Sequence, residues 1–178
     1  MKRTWSVVVG IGLAVALLSL APAGGASAEA PRDIDKKAVE RARKQVQMLD
    51  DIYKTAIVLV TDAYVKDRKS YPAGRLAVHW FAAISKKGSH EVRLIDVSGE
   101  PYSPRNVARD AFDREGIKQL KAGKPYHDEV IAKDGKPYLR AITTVPVVME
   151  KCILCHENYR KAGKGEAIGA LTYTIPIE

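Results

Sequence analysis

Cysteine is scarce in this chain: 178 residues hold only two, Cys152 and Cys155. A structural zinc site takes four protein ligands, so two thiols alone exclude an all-cysteine site. A thioredoxin-like redox pair belongs beside a βαβ unit, and no such alternation surrounds these cysteines. After the first thirty residues no apolar run approaches the ~18 residues that a membrane-spanning helix needs. Internal repeats are absent, and so is low complexity beyond the N-terminal segment. Charge is not sorted by sign either. The formal net charge is +8, yet Lys151, Arg160 and Lys164 stand beside Glu150, Glu157 and Glu166. A solvated mixed surface is the reading of that pattern, with docking of an acidic partner as the second; a nucleic-acid partner is excluded.

The N-terminus is distinctive. Lys2 and Arg3 form a charged start, Val7 to Leu20 an apolar run, and Ala26-Ser27-Ala28 a small-x-small cleavage site. This predicts a signal peptide over residues 1–28, cleaved after Ala28 or Ala30, then a linker over 29–34 and a single domain over 35–178. Loss of Lys2 and Arg3 lowers the net charge from +8 to about +6. An uncleaved anchor is the alternative, although the apolar run is short for one. The expected location is the periplasm, with no stable membrane insertion once the leader is removed.

The two cysteines occur as Cys152-Ile153-Leu154-Cys155-His156. This C-x-x-C-H order meets the requirements of c-type haem attachment. Each thiol can add across one vinyl group of the porphyrin, and the two-residue gap lets both reach one ring edge. The histidine that follows lies in position to serve as proximal iron ligand. The expected cofactor is therefore one covalent haem c. Export agrees with this expectation, because c-type attachment takes place outside the bacterial cytoplasm.

Periodicity predicts mixed architecture. Asp33 or Asp35 can cap a long helix to about Lys66, with Val39, Ala42, Val46, Leu49, Tyr53, Ala56, Val60 and Ala63 in steps of three and four. Ile57, Val58 and Leu59 widen the stripe, so the second half is expected to pack into the domain and the first half to project. About 30 residues would reach ~45 Å. Such a helix serves either as a self-associating arm, giving a homodimer, or as one side of a bundle. Pro72 opens a second helix carrying Leu76, Val78, Trp80, Phe81 and Ile84, which ends at Lys86-Lys87-Gly88. Alternation predicts a strand over 91–97, then a helix from about Asn106 to Lys121 with Val107, Phe112, Ile117 and Leu120 inward. A hairpin pairs 126–132 with 137–147 around Asp134-Gly135. A last strand carries Leu171, Tyr173, Ile175 and Ile177. The fold class is α+β, helices packed against an antiparallel sheet.

This order of elements, with Leu139-Arg140-Ala141 before the motif and Ile168-Gly169-Ala170-Leu171 after it, resembles a bacterial periplasmic monohaem c family with a PAS-like fold, first described in cyanobacteria. Asn106, Asp110 and Phe112 are similar to that family's Asn-x-Pro-Asp and Trp segment, without the proline and with Phe for Trp. The resemblance covers about residues 35–178 and implies a PAS-like sheet behind a long N-terminal helix. In cyanobacterial members the second axial ligand is a cysteine seven residues after a proline on the second helix. Here the seventh residue after Pro72 is His79, so the resemblance implies that His79 faces the iron. Read without the resemblance, a histidine inside an apolar helix is a hydrogen-bonded core residue. Imidazole for thiolate should raise the reduction potential. Among rivals, Met149 is too near Cys152 to cross the haem, Met48 needs the long helix to run over it, and an open site is a further alternative. His90 and His127 are expected to face solvent.

Haem propionates need cationic donors. Arg93, Arg140 and Arg75 are candidates, each with a surface salt bridge as its alternative. The expected function is one-electron transfer with a periplasmic redox partner. The alternative is a haem-based redox or gas sensor acting through a partner protein. No catalytic residue is expected, and a peroxidase-like enzyme finds little support.

Overall fold

The computed structural model describes residues 34–66, 73–163 and 165–178. The expected leader and most of the linker, Asp33, and Pro72 lie outside those residues. Helix α1 (Lys36–Lys66) begins after Asp35, whose side chain accepts a hydrogen bond from the Lys37 amide at 2.9 Å. That bond satisfies one of the amides that a helix start leaves without a partner. Helix α2 (Ala73–Ser85) is followed by β1 (Glu91–Asp96) and α3 (Ala111–Lys121). The hairpin strands β2 (Tyr126–Lys133) and β3 (Lys136–Pro146) come next, then α4 (Glu150–Cys155), a 3-10 turn (Glu157–Lys161) and β4 (Ala167–Pro176). Among the described residues no helix is long and apolar enough to cross a membrane.

The strands form one antiparallel sheet in the order β1-β4-β3-β2. The hairpin turns on Asp134 and Gly135, both at positive φ (53° and 73°), as a two-residue turn matched to strand twist requires. Helix α3 starts later than its pattern suggests. Asp110 caps it by accepting from the Asp113 amide at 2.9 Å, so Asn106 to Arg109 remain in the preceding loop and Val107 is exposed.

Period-two alternation sends the side chains of these strands to two faces. On one face Val92, Leu139, Ala141, Leu171, Tyr173 and Ile175 meet α1 and α2. On the other, Ile95, Ile142 and Ala170 meet Phe112 and Leu120 of α3. The expectation for α1 is reversed. Its first half is the more packed one, with Ala38, Ala42 and Val46 buried; Tyr53, just past the midpoint, is buried too, whereas Leu59 further on is 65% exposed. The reason is length. Arg41 hydrogen-bonds the Glu178 carbonyl and Asp50 reaches Thr143 and Tyr173, so α1 runs back along β4. At about 1.5 Å per residue against 3.3 Å for a strand, the 10 residues of β4 match only about 22 helical residues, so a helix of 31 outruns the strand within its second half.

Candidate haem-attachment site

The C-x-x-C-H segment joins two interior strands at one end of the sheet. β3 stops at Pro146, and β4 begins at Ala167 beside the finish of β1. Between them, α4 is a single short helix that carries Cys152 and Cys155 one turn apart. Cys152 is a half-buried free thiol. His156 is the C-cap of α4, its amide bonded to the Ile153 carbonyl at 3.2 Å.

The imidazole of His156 is held by rings on two sides. Tyr159 stacks on it at a centroid distance of 4.6 Å, and Tyr102, from the loop after β1, meets it edge-on at 5.2 Å. Burial lowers the pKa of His156, and the Asp96 carboxylate opposes that only in part. A neutral imidazole is the coordinating form. Asp96 is itself fixed, accepting from Ser98 Oγ at 2.6 Å and from the Gly99 amide at 2.7 Å. Burial also raises the Tyr159 hydroxyl, with Asp96 and Cys152 adding to the shift. The motif supplies thiol and imidazole donors in the spacing that covalent haem c requires, so the residues present fit that group.

The other candidates fall in three places. His79 is exposed on α2, on the same face of the sheet as α1 but turned from Ala77 and Phe81, which are buried two positions to either side. Arg93 and Arg140 are brought together, but not around the motif. Both bind Asp113, at 2.6 and 3.2 Å, on the face covered by α3. Arg140 also holds Asp110 at 2.9 Å and lies 4.3 Å over the Phe112 ring. These contacts follow from α3, which presents two carboxylates to the strand face from which the arginines project.

Met48 is exposed on α1, and Met149 immediately precedes α4. His90 and His127 also differ from expectation. His90 is half-buried with its Nε2 2.7 Å from the Tyr53 hydroxyl, and His127 stacks on Phe112 at 5.4 Å. The polar residues flanking each histidine concealed the aromatic partner that the fold brings to it. Sequence reasoning missed Tyr102, Tyr159 and Asp96. Only Tyr159 left a signal, three residues after His156.

A mostly apolar groove of about 540 Å³ adjoins the segment, with Val46, Asp50 and Lys54 of α1 on one side and Tyr126 and Thr143 on the other. Val148 and Gly165, which bracket the motif, also line it; none of its lining residues is a histidine.

No curated protein matches the chain. The sequence profile of the Tll0287-like family matches residues 29–176, which spans nearly all the described structure and the whole C-x-x-C-H segment, and the chain belongs to that family.

Proposed function

We propose that this protein is a periplasmic monohaem c carrier that exchanges single electrons with a partner protein. One haem would be bound through Cys152 and Cys155, with His156 as proximal ligand. The observation that carries the reading is the C-x-x-C-H turn, with a half-buried His156 imidazole between Tyr102 and Tyr159. Bound there, haem supplies reversible one-electron iron chemistry. The chain's own groups prepare the ligand. Burial keeps His156 neutral, the two tyrosine rings restrict its plane, and the adjacent Asp96 increases its basicity.

His79 is the proposed sixth ligand. It stands on the α1–α2 side of the sheet, and ligation needs the haem on the α2 side of α1 rather than in the groove. Arg93 and Arg140 drop out of the proposal, since Asp113 and Asp110 engage them on the other face. The sheet, with its last strand inside and a hairpin at one edge, is read as PAS-like. Export is supported by the N-terminal pattern, and the family match starts at residue 29, directly after Ala28.

A second reading, haem-based sensing, has one observation in its favour: α1 touches α4 and then extends past the sheet. A change at the motif could bias such a helix. One experiment addresses both readings. The full chain is expressed with a c-type maturation system, denatured with reductant, and examined for retained haem and for its spectrum. Covalent haem in the native protein and none in a Cys152→Ser/Cys155→Ser variant is expected; a chain that never retains haem refutes the proposal. With imidazole on both sides, the ferrous protein is low-spin and ignores carbon monoxide, and His79→Ala turns it high-spin. Rapid carbon monoxide binding by the native protein would favour sensing, and an unchanged His79→Ala spectrum would remove His79 as ligand.

A further inference from the structure

The α3 face carries a second cavity, of about 240 Å³, lined by Arg93, Arg109, Arg140, Lys133, Thr172 and Thr174. It is remote from the motif. Arg140 lies five positions along β3 from Val145, about 17 Å at a strand's rise, and on the face opposite α1. The cavity also contains Glu91 and Asp110, but both are engaged. Glu91 pairs with Lys133 at 2.8 Å and Asp110 with Arg140 at 2.9 Å. Burial alone would raise the Asp110 carboxyl; Arg140 and the Asp113 amide outweigh it and keep it ionised.

What remains is cationic. Three guanidinium groups, of Arg93, Arg109 and Arg140, face two carboxylates, Asp110 and the fully buried Asp113, leaving one formal positive charge. Asp113 positions all three arginine residues: it accepts from Arg93 Nη2 at 2.6 Å, from Arg140 Nη2 at 3.2 Å and from the Arg109 amide at 2.9 Å. Among the described residues, no ion pair involves the Arg109 guanidinium, and Arg93 Nη1 is a buried donor without a hydrogen-bond partner. A buried donor left unmet is costly, and natural sites usually meet it with water or a ligand. The N-terminus of α3 at Asp110 adds its partial positive charge to the same place.

We propose that this cavity binds a small carboxylate, with Arg109 as the principal ligand-binding side chain and Arg93 and Arg140 as cations prearranged by Asp113. A guanidinium presents its N–H groups as a fork that matches a carboxylate, and the threonine hydroxyls can donate to a second oxygen. The volume admits a short aliphatic acid and is too small for a nucleotide. The site does not depend on haem, so its test is separate from that of the electron-transfer reading.

The purified full chain is titrated with succinate and acetate, with phosphate and chloride at matched ionic strength, while its thermal unfolding midpoint is followed. A saturable rise with at least one carboxylate is expected, weakened about tenfold or more in Arg109→Ala. Lys118→Ala, on the outer side of α3, should bind as the native protein does. Arg109 is exposed, so its replacement does not threaten folding. No rise with either carboxylate, a rise with phosphate alone, or equal binding by Arg109→Ala overturns the proposal.

Discussion

Where α1 and α2 cover the sheet, Leu139, Leu171 and Tyr173 pack against Val46, Tyr53 and Phe81. The aromatic rings of Tyr53, Phe81 and Trp80 meet there at 5.2 to 5.8 Å. Where α3 covers the same strands, the neighbouring residues Arg93 and Arg140 face a buried carboxylate instead. One face is held mainly by apolar area, which tolerates rearrangement. The other is held partly by pairing geometry, which does not, because losing one charge strands the rest.

The sharpest way to break this contrast is Asp113→Ala. It leaves Arg93 and Arg140 without their shared carboxylate and should cost about 3–5 kcal/mol in urea unfolding. A loss below about 1 kcal/mol would mean that the arginines find other partners and that pairing does not organise this face.

A smaller effect is expected of Gly116→Ala. In an exposed helix interior this change gains up to ~1 kcal/mol. Here the added Cβ would stand 2.5 Å from Ile142 Cγ2, so overpacking should reverse the sign and cost about 1–3 kcal/mol. A raised unfolding midpoint would show that α3 can lift off the sheet.

The smallest effect concerns His90, on the apolar face. Burial lowers its pKa, so below the unfolded value of about 6.5 the unfolded chain takes up a proton that the folded chain refuses. The His90 contribution to stability is therefore full above that pH and declines as pH falls toward the depressed folded value. His90→Phe should cost about 1 kcal/mol at pH 7.5 through loss of the Tyr53 bond, and its unfolding free energy should fall less between pH 7.5 and 5.5 than that of the native chain. Parallel pH profiles for the two proteins would rule out this role.

Much of the fold was legible in local pattern. The hairpin was readable because Asp134-Gly135 can take positive φ, and β1 because the apolar Val92 and Leu94 alternate with the charged Glu91 and Arg93. The start of α3 was misplaced because Asp110 ends the loop through its own side chain, a local bond that hydrophobic spacing does not register. The half of α1 that packs was misjudged for another reason: small residues such as Ala38 and Ala42 bury as fully as large ones when a helix approaches a sheet closely.

The sequence by itself determined the order of donors at residues 152 to 156, since the spacing of two thiols and an imidazole is a covalent property of the chain. It determined which residues share a strand face, because alternation follows from the backbone. Only the tertiary structure decided what meets each face. Tyr102 and Asp96 come to His156 from another strand and its loop, and Asp113 meets Arg93 and Arg140 across 20 and 27 residues. Alternation states that arginines point one way; which helix covers them, and with what charge, depends on packing between segments far apart in the chain.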